Sequence, residues 1–158
     1  MNSWNFSKLA VEQWQWIFPG GAKNKTFQGA WYEGAQAGAG PRWAGGSLDA
    51  AKYGKLRVLM MVTSPKADGK GRDPVDLVAA PMLYWATPKD VQAGDAWMTG
   101  RNRVRAGRPD EKNPYLWEFQ LAGHPRWKGP IGGLTFTVPT KEGAQQLRVV
   151  IKEITFVE

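Results

Sequence analysis

Side chains that carry out catalysis are scarce in this sequence. Histidine occurs once, as His124, and cysteine is absent. Nucleophilic catalysis needs an adjacent base, most often histidine, and His124 lies in a turn-like Gly-His-Pro-Arg-Trp segment. A zinc site built on several imidazoles or thiolates cannot be made from these residues. No pair among the 14 acidic residues stands out as the carboxylate pair of a glycosidase. We therefore expect no enzymatic activity and no cofactor.

Arginines recur at every second position just after residue 100. Arg101, Arg103 and Arg105 end a segment, 98–105, that we predict to be a strand, and alternate residues of a strand share one face. Three guanidinium groups in a row repel one another unless an anion or an aromatic ring lies among them. One interpretation is an anion-binding stripe, because the guanidinium group matches carboxylate and sulfate geometry. The alternative is a solvated sheet face with acidic residues on the neighbouring strands.

Tryptophan is unusually frequent, with nine residues in a chain of 158. Trp14, Trp117 and Trp127 fit structural roles, and Trp127 lies in a turn that could close one end of a sandwich. One small core cannot easily bury all nine, because the indole ring is large and its N–H needs a partner. Some of the remaining rings are therefore candidates for an exposed binding surface.

Exposed aromatic rings beside arginine suit a carbohydrate ligand. A flat ring stacks on the C–H face of a sugar, while polar side chains bond to its hydroxyl groups, so few groups hold a polar ligand. The alternation around Trp85 does not decide whether its ring faces the core or solvent, since either Leu83 and Trp85 or Met82 and Tyr84 point inward. The predicted binding surface draws on Trp43, Tyr84, Trp85, Trp97, Arg101 and Arg103.

The charge of the chain is strongly basic. Its formal net charge is +7, and its isoelectric point is about 9.8. This permits nucleic acid as a partner, but the sequence contains no recognised nucleic-acid motif, and a uronic-acid polymer satisfies the charge as well. No apolar run approaches the ~18 residues of a membrane span. We expect a polysaccharide or oligosaccharide as partner, with neither nucleic acid nor membrane.

Alternating apolar residues predict short strands along the whole chain. The face Leu56, Val58, Met60 and Val62 is expected to be buried against Val149 and Ile151. A bulge near residues 152–153 would bring all apolar residues of the last strand to one face. Helix-length segments are missing, so we predict an all-β antiparallel sandwich of jelly-roll type in one domain, residues 1–158. The predicted strands cover 55–63, 80–87, 115–121, 131–138 and 146–157, with weaker candidates at 4–7, 13–18, 27–33, 42–48 and 98–105.

Several core and turn motifs resemble those of the galactose-binding-domain-like β-jelly rolls, which include many carbohydrate-binding modules. They are SLDAAKYGKLRV at 47–58, MLYWAT at 82–87, WEF at 117–119, PRWKGPIGGL at 125–134 and VIKEI at 150–154. The resemblance implies an accessory domain of a larger bacterial polysaccharide-acting protein, and an extracellular or periplasmic location. Members often hold a structural calcium ion between the first and last strands. Here Ser7 replaces an expected acid and leaves only Glu12 and Glu153, which disfavours calcium.

The sequence thus predicts a non-catalytic carbohydrate-binding domain that prefers a polar or acidic polysaccharide. The alternative is an accessory or interaction domain without a sugar site, in which the aromatic residues only pack the fold. The two differ in which aromatic side chains are exposed.

Overall fold

Short extended segments separated by turns make up most of the structure. The computed structural model describes residues 3–5, 14–17, 31–33, 40–93, 101–140 and 148–158. These residues contain eleven strands, one 3₁₀ turn (Ala50–Lys52) and one short helix, α1 (Pro88–Ala93). The strands are β1 (Ser3–Asn5), β2 (Trp14–Ile17), β3 (Trp31–Glu33), β4 (Gly40–Asp49), β5 (Lys55–Pro65), β6 (Arg72–Pro74), β7 (Met82–Ala86), β8 (Arg103–Arg105), β9 (Leu116–Gln120), β10 (Pro130–Phe136) and β11 (Arg148–Val157).

Two antiparallel sheets divide these strands. The six-stranded sheet follows the order β1-β11-β5-β6, with β3 also paired to β11 and β9 to β5. The five-stranded sheet follows the order β2-β4-β10-β7-β8. The chain passes repeatedly between the sheets, and Phe119 of one lies 6.2 Å (ring centroids) from Phe136 of the other. The predicted all-β sandwich is confirmed, with a single core between the two sheets.

Strand β5 forms the centre of the core, as the alternation predicts. Its inward residues Leu56, Val58, Met60 and Val62 are buried. Val62 pairs with Val149 of β11 and Met60 with Ile151. The pairing register then shifts between Ile151 and Glu153, which is the predicted bulge, and it returns Ile154 and Phe156 to the core.

The segment between β9 and β10 closes one end of the sandwich. It turns twice through glycines with positive φ, Gly123 (86°) and Gly129 (70°), a conformation that glycine adopts without steric cost. Trp127 between them is buried, and its indole N–H donates to the carbonyl oxygen of Tyr53 at 2.8 Å. The structural role predicted for Trp127 is confirmed, and so is that of Trp117, which is buried on β9.

Two elements differ from the sequence prediction. Helix α1 was not expected. It begins at Pro88, just after Thr87, whose hydroxyl oxygen accepts from the amide of Asp90 at 3.2 Å, a usual helix start. Of the strand predicted over 98–105, only Arg103–Arg105 forms a strand, β8. Arg101 and Asn102 precede it in a non-strand conformation, and residues 98–100 lie outside the described part.

Candidate functional site

The alternation in β7 decides which aromatic residues face solvent. Leu83 and Trp85 are buried, with Trp85 only 1% exposed, whereas Tyr84 is half-buried. The indole N–H of Trp85 donates to the carbonyl oxygen of Arg126 at 3.2 Å. Its ring also meets Trp127 edge-on, 5.2 Å between centroids. Trp85 was predicted as part of the binding surface, and its burial contradicts that prediction.

Trp43 is likewise a core residue. It is 4% exposed on β4 and pairs with Leu134 of β10, which is fully buried. Its predicted role as an exposed ring is therefore wrong. The core holds Trp43 and Trp85 together with Trp117 and Trp127, so it takes two more indole rings than the structural roles predicted from the sequence required.

Two other tryptophan predictions, for Trp14 and Trp97, are not tested by the described side chains. Trp97 lies outside the described residues. Trp14 and Trp16 occupy β2, where Trp14 pairs with Trp43 and Trp16 with Pro41, but their side chains are outside the described part. The predicted structural role of Trp14 and the binding role of Trp97 remain predictions.

Arg103 and Arg105 share one exposed face of β8, and the intervening Val104 is half-buried. Arg105 Nη1 donates to the carbonyl oxygen of Ala80 at 3.0 Å. Arg101 is also exposed but precedes the strand, and its carbonyl oxygen accepts from the amide of Arg103 at 3.0 Å. Of the three arginines predicted to share one strand face, only Arg103 and Arg105 therefore do so, and Arg101 lies in the bend before the strand.

No acidic residue lies across the β7–β8 pair from these arginines. Arg103 pairs with Tyr84, and Arg105 pairs with Met82. Within the described ranges, the guanidinium groups of Arg101 and Arg103 make no hydrogen bond or ion pair with another side chain. The alternative interpretation, in which acids on the neighbouring strand neutralise the stripe, does not hold for the described β8. An aromatic ring stands next to Arg103 instead.

Strand register extends this arrangement into a row across four strands. Tyr84 pairs with Thr135 of β10, and Thr135 pairs with Arg42 of β4. We call Arg42, Thr135, Tyr84 and Arg103 the arginine–tyrosine row. Neighbouring strands lie ~4.8 Å apart, so the row spans about 14 Å.

The row lies on the outer face of the five-stranded sheet. Leu134 and Phe136 flank Thr135 and are buried in the core, and successive strand residues point to opposite faces. Thr135 is nevertheless only 3% exposed. Burial also lowers the pKa of Arg42 below its usual value through desolvation, although a guanidinium remains charged at neutral pH. The row therefore runs from a partly desolvated cation, past an aromatic ring, to an exposed cation.

Arg42 and Thr135 were missed by sequence reasoning. The sequence marks Arg42 only by its position next to Trp43, and a buried Trp43 turns Arg42 to the opposite face. Nothing in the local sequence joins positions 42, 84, 103 and 135, because the three strand pairs that align them connect distant segments.

The remaining chemical candidates have structural surroundings. His124 is half-buried; its Nδ1 accepts from the amide of Arg126 at 3.1 Å, and its ring meets Trp85 edge-on at 5.0 Å. Glu153 is one of the two acids that the sequence leaves for the disfavoured calcium ion, and its carboxylate accepts from the Thr155 hydroxyl at 2.6 Å. Ser7 and the other acid, Glu12, lie outside the described residues. Among the residues described, no three His, Asp or Glu side chains are grouped to hold a metal ion.

No helix in the described part of the chain is long and apolar enough to cross a membrane.

The fold and the row define an antiparallel β-sandwich domain with a cationic and aromatic sheet face. No family model and no curated protein matches the chain. Among solved structures, it is similar to the low-affinity xylan-binding module CBM86 from the xylanolytic gut symbiont Roseburia intestinalis. The TM-score is 0.47 at 11% sequence identity, over 98% of this chain and 92% of that chain. A likeness this distant assigns no ligand and no residue role here.

Proposed function

We propose that residues 1–158 form a single non-catalytic carbohydrate-binding domain whose preferred ligand is a polar or acidic polysaccharide. The ligand lies on the outer face of the five-stranded sheet, at the exposed end of the arginine–tyrosine row that Tyr84 and Arg103 form, with Arg101 at its edge. One observation carries the proposal: the exposed Arg103 stands beside Tyr84 without an acidic partner on the paired strand.

The chemistry of the row fits such a ligand. The ring of Tyr84 offers an apolar surface for the C–H face of one sugar residue. The guanidinium group of Arg103 donates paired hydrogen bonds to a carboxylate or sulfate.

The wider setting follows from the resemblance to galactose-binding-domain-like jelly rolls. On this proposal the chain is an accessory domain of a larger bacterial polysaccharide-acting protein that works outside the cytoplasm. It holds the polysaccharide close to the rest of that larger protein and carries out no chemistry of its own.

Calorimetric titration against matched neutral and acidic oligosaccharides tests the proposal. Tyr84→Ala should weaken binding by about 1–3 kcal/mol, by analogy with base–aromatic stacking. Arg103→Ala should weaken binding to acidic ligands more than to neutral ones, and the difference should shrink at high salt because exposed charges are screened. Lys70→Ala is the control, since it removes an exposed positive charge from the loop between β5 and β6.

Two results contradict the proposal. If neither variant changes the affinity for acidic oligosaccharides, the row is not the site. If the parent domain binds no oligosaccharide, the accessory domain without a sugar site becomes the better interpretation.

A further inference from the structure

An open cleft lies at one end of the sandwich, away from the arginine–tyrosine row. Its volume is about 470 Å³, within the range of about 300–1,000 Å³ that is usual for small-molecule sites. Ser47, the nearest cleft residue on β4, lies five residues from Arg42, which is about 16–17 Å of fully extended strand at ~3.3 Å per residue. The lining residues are Ser47, Leu48, Asp49, Lys52, Tyr53, Gly129 and Pro130, none of which belongs to the row.

The aromatic wall of this cleft is held in place by the core. The ring of Tyr53 packs against Phe156 with 4.8 Å between centroids. The amide of Tyr53 donates to the carbonyl oxygen of Ala50 at 3.2 Å, and its own carbonyl oxygen accepts from the indole of Trp127 at 2.8 Å. Because the backbone and ring are both fixed, ligand binding would cost little ordering of this wall.

The polar groups of the cleft are available to a ligand. In the part of the chain that the structure describes, the hydroxyl groups of Ser47 and Tyr53 and the ammonium group of Lys52 make no hydrogen bond or ion pair with the protein. Asp49 is oriented by its Oδ1, which accepts from the amide of Ala51 at 3.1 Å. This leaves its second carboxylate oxygen as an acceptor. The cleft therefore combines a fixed ring with both donors and acceptors.

We propose that this cleft is a second binding site, which takes one or two residues of a neutral sugar chain. Hydroxyl groups both donate and accept, so they match a lining in which a carboxylate faces the same space as an ammonium group. Because the charges of Asp49 and Lys52 cancel, the cleft offers a carboxylate or sulfate ligand no net attraction. The choice of a sugar rests on the proposed function, whereas the position and its preference for a neutral ligand rest on the cleft alone.

The test isolates the cleft by disabling the sheet face. In the Tyr84→Ala/Arg103→Ala background, neutral tetrasaccharides built on glucose, galactose, mannose and xylose are titrated by calorimetry and by amide NMR. Tyr53→Phe removes one hydroxyl and keeps the packing on Phe156, and it should weaken binding about two- to tenfold, the range of a single hydrogen bond. Lys52→Met should weaken binding similarly, while Lys70→Ala should leave it unchanged.

The outcomes separate this proposal from the previous one. The second site is supported if a neutral tetrasaccharide binds the Tyr84→Ala/Arg103→Ala variant and shifts the amides of Ser47, Lys52 and Tyr53. This binding should also weaken when either cleft substitution is added. If no neutral tetrasaccharide shifts these amides, or if both cleft variants bind like their background, the cleft proposal is overturned. If the unmodified chain still binds acidic oligosaccharides and the single Arg103→Ala variant binds them more weakly, only the cleft proposal has failed. If it binds neither ligand class, the proposed function has failed as well.

Discussion

Replacing Trp85 with alanine tests whether the sheet faces have been assigned correctly. Trp85 is 1% exposed, and burying a tryptophan ring removes about 150–250 Å² from water. At ~25 cal/mol/Å² this area is worth about 4–6 kcal/mol, and measured Trp→Ala or Phe→Ala core substitutions cost about 3–5 kcal/mol. The substitution also removes the indole hydrogen bond to the carbonyl oxygen of Arg126, whose net worth is about 1 kcal/mol. We expect Trp85→Ala to lower the free energy of unfolding by about 3–5 kcal/mol.

The adjacent residue provides the matched control. Tyr84 lies on the same strand but on the opposite face and is half-buried, so Tyr84→Ala should cost about 1 kcal/mol or less. Urea unfolding followed by far-ultraviolet circular dichroism measures both, since tryptophan fluorescence would change with the substitution itself. The urea midpoint should fall steeply for Trp85→Ala with an unchanged m-value. An equal or larger loss for Tyr84→Ala would refute the assignment of the two faces.

Three further predictions concern packing, charge and catalysis. Gly132→Ala should destabilise the fold by about 1–3 kcal/mol, because its Cβ would clash with Pro88 Cα. Gly107→Ala, where a Cβ meets nothing within 4 Å, is the control, and equal thermal midpoints for the two variants would argue against this close approach. Glu118→Gln should cost about 0.5–1 kcal/mol at low salt and less at high salt, since Glu118 bonds Arg57 at 2.7 Å; a loss in urea unfolding that does not depend on salt would contradict the electrostatic origin. Finally, the purified domain should release no reducing ends from polysaccharides, and release that one carboxylate substitution abolishes would show that it is an enzyme.

Strand periodicity carried most of the fold prediction. In strands β5, β9 and β11, apolar residues recur at every second position, so each pattern is consistent with one buried face. The bulge near residue 152 was predictable because the apolar residues of β11 change parity there, which only an extra residue reconciles. Helix α1 was missed because six residues are too few to show a 3.6-residue period.

The site was harder to predict than the fold. Both faces of β7 carry apolar or aromatic side chains, namely Met82 and Tyr84 on one side and Leu83 and Trp85 on the other. Local alternation therefore could not decide which ring is exposed. The position of Arg42 depends on pairing between strands distant in sequence, which no local pattern contains. Tryptophan frequency was a misleading signal for Trp43 and Trp85, because both are buried in the core, where Trp85 packs edge-to-face on Trp127.

The most direct test of the central claim is amide NMR of the unmodified domain, titrated with an acidic oligosaccharide such as a tetramer of galacturonic acid. If the outer face of the five-stranded sheet binds acidic glycans, the largest shifts should occur at Tyr84, Arg101 and Arg103, and should be lost in Arg103→Ala. The amides of Leu56–Val62 in the opposite sheet should move little. Shifts confined to that opposite sheet, or no shifts at millimolar ligand, would contradict the claim.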